Sequence, residues 1–210
     1  MIRTLIADDH AVVRQGLRQI LEETGDIVVA GEAATGQEVL HHVRKQEWDL
    51  VVLDLNMPGA SGIDVLKTLR QERPKLPILV LSMHAEDQYA LRVIRAGASG
   101  YLTKESAPND LIQAARKVVA GGRYVSPALA ELLVAEVAEG NGGPLHKALS
   151  DREFQVLRLL GQGMAVSEIA EALSLSPKTV STYRRRLLDK MSMKSNAELI
   201  HYAVKNGLVE

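Results

Sequence analysis

The first 120 residues alternate short, unbroken apolar runs with longer amphipathic stretches. The runs are Leu5-Ile6-Ala7, Ile27-Val28-Val29-Ala30, Leu50-Val51-Val52-Leu53, Ile78-Leu79-Val80-Leu81 and Gly100-Tyr101-Leu102. Their continuity, in place of an in-out alternation, marks strands covered on both faces. Between them, apolar residues recur at helical spacing: Val13, Leu17, Ile20 and Leu21; Val39, Leu40 and Val43; Val65, Leu66 and Leu69; Leu91 and Ile94; Leu111, Ala115, Val118 and Val119. Five strands alternating with five helices predict a doubly wound α/β domain with a five-stranded parallel sheet.

Gly121-Gly122 stops the fifth helix. Residues 126–138 predict one further short helix with Pro127 near its start, and Gly140, Asn141, Gly142, Gly143 and Pro144 predict a flexible linker over roughly 139–148. From Ser150 the period is purely helical. Ser150 and Glu153 form a capping box, in which the hydroxyl takes an orphan amide and the carboxylate reaches back. Val166, Ile169, Ala170 and Leu173 define a short amphipathic helix, and Ser174-Leu175 turns the chain. Ser176 caps the next helix, Pro177 fits its first turn, and it runs to about Met191. A last helix spans about Ser195 to Asn206 and closes at Gly207. The expected organisation is an α/β domain over 1–122, a linker with a short helix over 123–148, and a small all-α domain over 149–210.

Composition narrows the chemistry. With no cysteine among 210 residues, disulfides, thiolate catalysis and cysteine-based zinc sites are excluded. No apolar run is long enough to span a membrane, and residues 1–7 run into Asp8-Asp9 without a cleavage site, so a cytoplasmic protein is expected. The net charge of −1 hides an asymmetry. Residues 147–210 hold ten Lys/Arg against seven Asp/Glu, a net of +3, and residues 1–146 hold fifteen against nineteen, a net of −4. An acidic front and a basic back point to different partners for the two halves.

In open α/β sheets, ligands bind beyond the carboxyl ends of the strands. The residues there are Asp8 and Asp9 after the first strand, Asp54 and Asn56 at the third, Ser82 at the fourth and Lys104 after the fifth. A carboxylate such as Asp54 is a nucleophile able to form an acyl phosphate. Asp9, Asp54 and the Asn56 backbone carbonyl are hard oxygen donors suited to Mg²⁺, and Asp8 can orient a metal-bound water. Three carboxylates in one crevice repel each other without a cation. Lys104 offers a point charge, and Ser82 a hydroxyl, to phosphate oxygens.

These residues, with Met57-Pro58-Gly59 and Gly62, resemble the flavodoxin-like receiver domain of two-component response regulators over residues 1 to about 122. The resemblance implies phosphotransfer to Asp54 from a sensor histidine kinase, with Mg²⁺ required. It also implies a switch in which Ser82 moves toward the phosphate and Tyr101 swings inward, remodelling the face made by helix four, strand five and helix five. Side chains at the positions of Asn56 and His84 tune phosphoryl hydrolysis in that family. Glu105 follows Lys104 where many receivers carry a proline in a cis bond; without proline that bond is costly. Singly, each residue has a plainer reading: Asp8 or Asp9 as a cap of the first helix, Ser82, His84 or Lys104 as loop residues, Tyr101 as core.

The helix over 177–190 carries Lys178, Arg184, Arg185, Arg186 and Lys190 against one acid, Asp189, with Val180, Leu187, Leu188 and Met191 on its opposite stripe. One face packs and the other is basic, and the preceding short helix and tight turn make this helix-turn-helix geometry. Residues 149–210 resemble the LuxR-type effector domain of the NarL/FixJ subfamily through Leu149–Glu153, Val156-Leu157, Gly163, Glu168-Ile169-Ala170, Leu173, Ser176, Lys178-Thr179-Val180, Lys190-Met191 and Ala197-Glu198-Leu199. The resemblance implies DNA binding as a homodimer, with the last helix in the dimer contact. Candidate DNA contacts are Lys178, Thr179, Ser181, Thr182, Arg184 and Arg185, with Arg186 and Lys190 for phosphates. Ser181 stands where many members have lysine, Tyr183 where many have histidine, Val166-Ser167 where an Asn-Lys pair is common, and Asn196 where an arginine is common.

Two other functions are compatible with parts of this pattern. A phosphohydrolase built on Asp54 normally needs a second aspartate two residues on, where this chain has Asn56. A DNA-binding protein independent of phosphorylation would leave the acidic crevice without a use.

Overall fold

The computed structural model describes residues 1–58, 61–83, 88–106, 108–139 and 144–209, except for the side chains of residues 88 and 136–139. His84, Gly59 and residues 140–143 of the glycine cluster lie outside them. The chain divides into two compact units, Met1–Val134 and Ala135–Glu210.

The first unit is the expected doubly wound domain. Strands β1 (Ile2–Ala7), β2 (Ile27–Ala33), β3 (Leu50–Asp54), β4 (Ile78–Ser82) and β5 (Gly100–Thr103) form one parallel sheet in the order β2-β1-β3-β4-β5. Helices α1 (Ala11–Glu22), α2 (Gly36–Lys45), α3 (Gly62–Glu72), α4 (Gln88–Arg95) and α5 (Pro108–Val119) fill the crossovers. Every residue of β3 and β4 is buried, which is why those runs do not alternate. Ile6, Val52, Leu79, Leu81 and Leu102 form one face with Leu21 of α1 and Leu111, Ala115 and Val118 of α5. The buried residues of α2, α3 and α4, among them Val43, Leu66, Leu69 and Leu91, seal the other.

Strand β5 is an edge, and the chain after α5 returns to cover it. Tyr124 bridges Gly100, and Tyr101 N donates to Tyr124 O at 3.1 Å. A Cβ on Gly100 would meet that oxygen at 2.8 Å, so the close approach needs glycine. Helix α6 (Pro127–Glu139) follows, close to the predicted short helix.

The second unit holds α7 (Asp151–Gly161), α8 (Val166–Ala172), α9 (Pro177–Met191) and α10 (Asn196–Lys205). The Ser150–Glu153 capping box is formed, and Ser176 and Ser195 cap α9 and α10. Leu157, Leu160, Ile169, Val180, Leu187, Met191 and Leu199 make its core. Between α8 and α9, Ser174 takes φ +52° and Leu175 N donates to Ala170 O at 2.8 Å, which sets the tight turn. Residues 145–148, read from sequence as the end of the linker, form a short 3-10 helix. Its His146 is buried, with Nδ1 3.0 Å from the Tyr202 hydroxyl. Among the described residues, no helix is long and apolar enough to cross a membrane.

Candidate functional site: an acidic crevice and a basic helix

Sheet register brings the predicted residues together. Ala7 pairs with Leu53, Asp54 with Leu81 and Ser82 with Thr103, so Asp8, Asp54, Ser82 and Lys104 follow from adjacent strand ends. The lysine is the hub. Its Nζ lies 2.6 Å from Asp8 Oδ2 and 2.8 Å from Asp54 Oδ2, and both aspartates are 1% exposed. Its backbone N donates to Ser82 O at 2.8 Å, tying β5's exit to the end of β4. The peptide bond after Lys104 is trans.

The electrostatics follow from burial. Desolvation raises the Asp54 carboxyl above the usual carboxylate range, and the Lys104 ammonium and the Asn56 amide (3.2 Å from Asp54 Oδ1) only partly offset it. Burial also opposes the Lys104 charge, but hydrogen bonds to Asp54 and Asp8 outweigh it and its pKa rises. Ser82 and Tyr101 are both completely buried, so the tyrosine side chain is inside the domain. Gly62 explains part of the Met57–Gly62 loop. A Cβ there would sit 2.4 Å from Leu55 Cα, the residue between Asp54 and Asn56, so glycine lets α3 start hard against the site.

Neither Asp8 nor Asp9 is the cap residue of α1. That residue is His10, whose amide donates to Asp8 Oδ1 at 2.9 Å and whose Nδ1 lies 2.8 Å from Asp9 Oδ1. Periodicity and motif spacing do not single out His10; its place beside the aspartate pair is the one signal for it in the sequence. Asp8, Asp9 and His10 each offer a ligand atom, all within 4.8 Å of one another. Mg²⁺ prefers oxygen, so the carboxylates of Asp8, Asp9 and Asp54 are the fitting donors. Two sealed carboxylates sharing one lysine are a site where a dication would relieve repulsion.

In the second unit, Lys178, Ser181, Thr182 and Arg185 form an exposed stripe at i, i+3, i+4 and i+7 on α9. Thr179 is drawn into the cap, its hydroxyl 2.8 Å from Ser176 Oγ, and Thr182 Oγ1 donates to Lys178 O at 3.0 Å. Arg186 lies over the Tyr183 ring, 5.9 Å from its centroid. Arg184 is half-buried and its Nε has no hydrogen-bond partner among the described residues. Lys190 differs from the rest. Its Nζ is 2.7 Å from Oε2 of Glu153, the buried capping-box carboxylate.

Comparison with known proteins matches this architecture. Residues 4–116 match the family model of the response regulator receiver domain, and residues 147–203 that of the bacterial regulatory proteins of the luxR family. The response regulator UvrY of Escherichia coli K12 is 36% identical over 209 residues, covering 99% of this chain and 96% of that protein. The response regulator GacA of Pseudomonas protegens is 38% identical over 210 residues, covering 100% and 99%. The structure of RcsB from Salmonella enterica serovar Typhimurium, bound to promoter rprA in the presence of phosphomimetic BeF3-, superposes with a TM-score of 0.65 at 30% identity, over 96% of this chain and 97% of that one. The chain thus belongs to the NarL/FixJ subfamily of two-component response regulators, with a receiver domain followed by a LuxR-type effector domain.

Proposed function

We propose that Asp54 accepts a phosphoryl group from a sensor histidine kinase, and that this makes the effector domain bind promoter DNA as a homodimer in the cytoplasm. In this reading residues 1–122 are the receiver, 123–148 the linker and 149–210 the effector. The reading rests above all on Lys104, whose ammonium lies within 2.8 Å of both Asp8 and Asp54 in a crevice nearly sealed from water. No simpler structural role accounts for two buried carboxylates on one lysine, since apolar residues of similar volume would fill the space without desolvating charge.

An Asp54 oxygen attacks the phosphorus of a phosphohistidine. The P–O bond forms as the P–N bond breaks, and the imidazole leaves with the bonding pair and takes a proton from water. Lys104 and the Ser82 hydroxyl then hold phosphate oxygens. Mg²⁺ on Asp8, Asp9, Asp54 and the Asn56 carbonyl, with Asp8 acting through a water, would neutralise the gathering negative charge. Pulling Ser82 toward the new phosphate changes the packing around Tyr101, and with it the α4-β5-α5 face. In this reading the chain is not an enzyme toward other substrates: it takes its own phosphoryl group from a donor and loses it again to water.

In the effector, DNA contacts come from the set Lys178, Thr179, Ser181, Thr182, Arg184 and Arg185, with the exposed stripe of Lys178, Ser181, Thr182 and Arg185 turned to the major groove, and Arg186 and Lys190 serve phosphates. The promoter complex of RcsB, 30% identical to this chain, supports DNA binding by this domain. The test is intact mass after incubation with acetyl phosphate and Mg²⁺. Wild type is expected to gain one phosphoryl group, and Asp54→Ala or a chelated sample none. The same phosphoryl gain in Asp54→Ala would refute the assignment. Mobility-shift titrations of treated and untreated protein then test the coupling to DNA.

A further inference from the structure

The turn that carries Asp8 and Asp9 is held from outside the site. Arg14, one turn into α1, donates from Nη1 to the backbone carbonyl of Asp8 at 2.7 Å. Its Nε donates to Glu32 Oε2 at 2.9 Å, and its side chain is only 17% exposed. Glu32 lies near the end of β2 and is itself fixed by Arg18, whose Nη2 and Nε meet its other oxygen at 2.7 and 3.1 Å. Arg18 also donates to Val29 O at 3.0 Å, which anchors the chain of contacts on the edge strand. The Arg14 guanidinium therefore cannot swing away without breaking Glu32.

The other polar atoms of Asp8 are engaged as well. Its N donates to Ala33 O at 3.1 Å, Oδ1 accepts from His10 N at 2.9 Å, and Oδ2 faces Lys104 at 2.6 Å. Arg14 supplies the one link in this set that runs from a side chain of α1 to the main chain of the turn. We propose that Arg14 is a positioning residue of the metal site: by clamping the Asp8 carbonyl it fixes where the Asp8 and Asp9 carboxylates can meet a dication. This rests on the reading of those carboxylates as metal donors. Partners that orient metal ligands are typically worth 10–100-fold in metal affinity.

The sign makes the proposal testable. A cation beside a dication site disfavours metal by charge alone, so deleting Arg14 would tighten binding if electrostatics were its only role. Positioning predicts the reverse. Mn²⁺ is titrated into full-length protein without phosphodonor, and free metal is followed by electron paramagnetic resonance. Arg14→Ala is expected to weaken Mn²⁺ binding about tenfold. Arg18→Ala, which also removes a positive charge but leaves the Arg14–Asp8 bond, is expected to bind within about twofold of wild type. Circular dichroism melts in chelator confirm that both variants fold. Unchanged or tighter binding by Arg14→Ala overturns the proposal. An equal loss in Arg18→Ala also overturns it, since the effect would then be general loosening of α1 against β2. If wild type binds no Mn²⁺, the metal reading falls and this inference with it, an outcome distinct from the other two.

Discussion

The two functional regions carry charge in opposite ways. In the receiver crevice, Asp8, Asp54 and Lys104 are withdrawn from water and paired as ions with one another, across separations of up to 96 residues in sequence. On α9, most of the basic side chains are exposed and come from a single helix. Buried charge is expensive, so each group in the crevice depends on its partners and the set acts as a unit. Exposed charge costs almost nothing to keep, so each α9 residue is nearly independent of its neighbours for folding and available to an outside partner. The same residue type, lysine, therefore has different consequences at 104 and at 178. This contrast can be broken by mutation.

The largest expected effect is at Lys104. Lys104→Met leaves two sealed carboxylates facing each other, and removing one partner of a buried charge set typically costs about 3–5 kcal/mol. Urea unfolding monitored by circular dichroism should show a much lower midpoint for this variant. The penalty should shrink as pH falls, because protonating one carboxylate ends the repulsion. A stability within 1 kcal/mol of wild type at neutral pH, as a rough bound for surface changes, would place the crevice in the same class as the exposed helix.

Lys190 tests the contrast from the other side, because it sits on the basic helix yet pairs with a buried acid. Burial raises the Glu153 carboxyl, but hydrogen bonds from Lys190 and from the Ser150 amide outweigh this and hold it below its ordinary value. A depressed carboxylate stabilises the fold above its unfolded pKa, and that contribution is lost as pH falls through the folded value. Lys190→Met should cost about 1.5 kcal/mol at pH 7, the scale of a hydrogen bond to a charged group. The gap from wild type should begin to narrow near about pH 4, where glutamate in the unfolded chain takes up its proton, and close only as pH falls through the lower folded value. If Lys190→Met leaves stability unchanged but weakens DNA binding, its phosphate role outranks the ion pair.

Asp54 gives a smaller effect of opposite sign. Its folded pKa is raised, so ionised Asp54 costs stability at neutral pH, and the cost shrinks as pH falls through that raised value and is gone below the ordinary aspartate range. Asp54→Asn removes the charge, while Lys104 keeps Asp8 at 2.6 Å. The variant should be more stable by about 1 kcal/mol, seen as a melting temperature a few degrees higher, while losing the proposed acceptor. A less stable Asp54→Asn would mean that the Lys104–Asp54 contact outweighs desolvation.

What could be read from the sequence follows the same division. The crevice was legible because a position just past an apolar run is fixed by topology: once the strands were placed, Asp8, Asp54, Ser82 and Lys104 had to converge. Gly62 was visible as a motif residue, but its cause, the 2.4 Å approach to Leu55 Cα, needed the packed loop. The contacts between distant side chains were not legible. Arg14 to Glu32, Lys190 to Glu153 and His146 to Tyr202 join elements whose mutual rotation no periodicity reports. Lys190 looked like one more base on a basic face because helical phase alone does not tell a solvated lysine from one leaning over a neighbouring helix. The 3-10 turn at Leu145–Ala148 is too short to have a period at all.

Arg185 marks the lower end of the scale for folding and the clearest case for outside contact. It is exposed, and it closes the stripe begun by Lys178. Arg185→Ala should change stability by less than about 0.5 kcal/mol, as exposed positions do. Its effect should appear only with nucleic acid present. Each phosphate contact releases roughly one counterion, so a lost contact lowers the slope of log affinity against log salt by about 1. A lost base contact would instead weaken the preferred sequence by about 1–3 kcal/mol and leave the slope nearly unchanged. Fluorescence anisotropy on a promoter fragment over a range of salt concentrations, with a scrambled fragment beside it, separates the two. If neither changes, α9 does not present Arg185 to DNA, and the stripe of Lys178, Ser181 and Thr182 loses its fourth member.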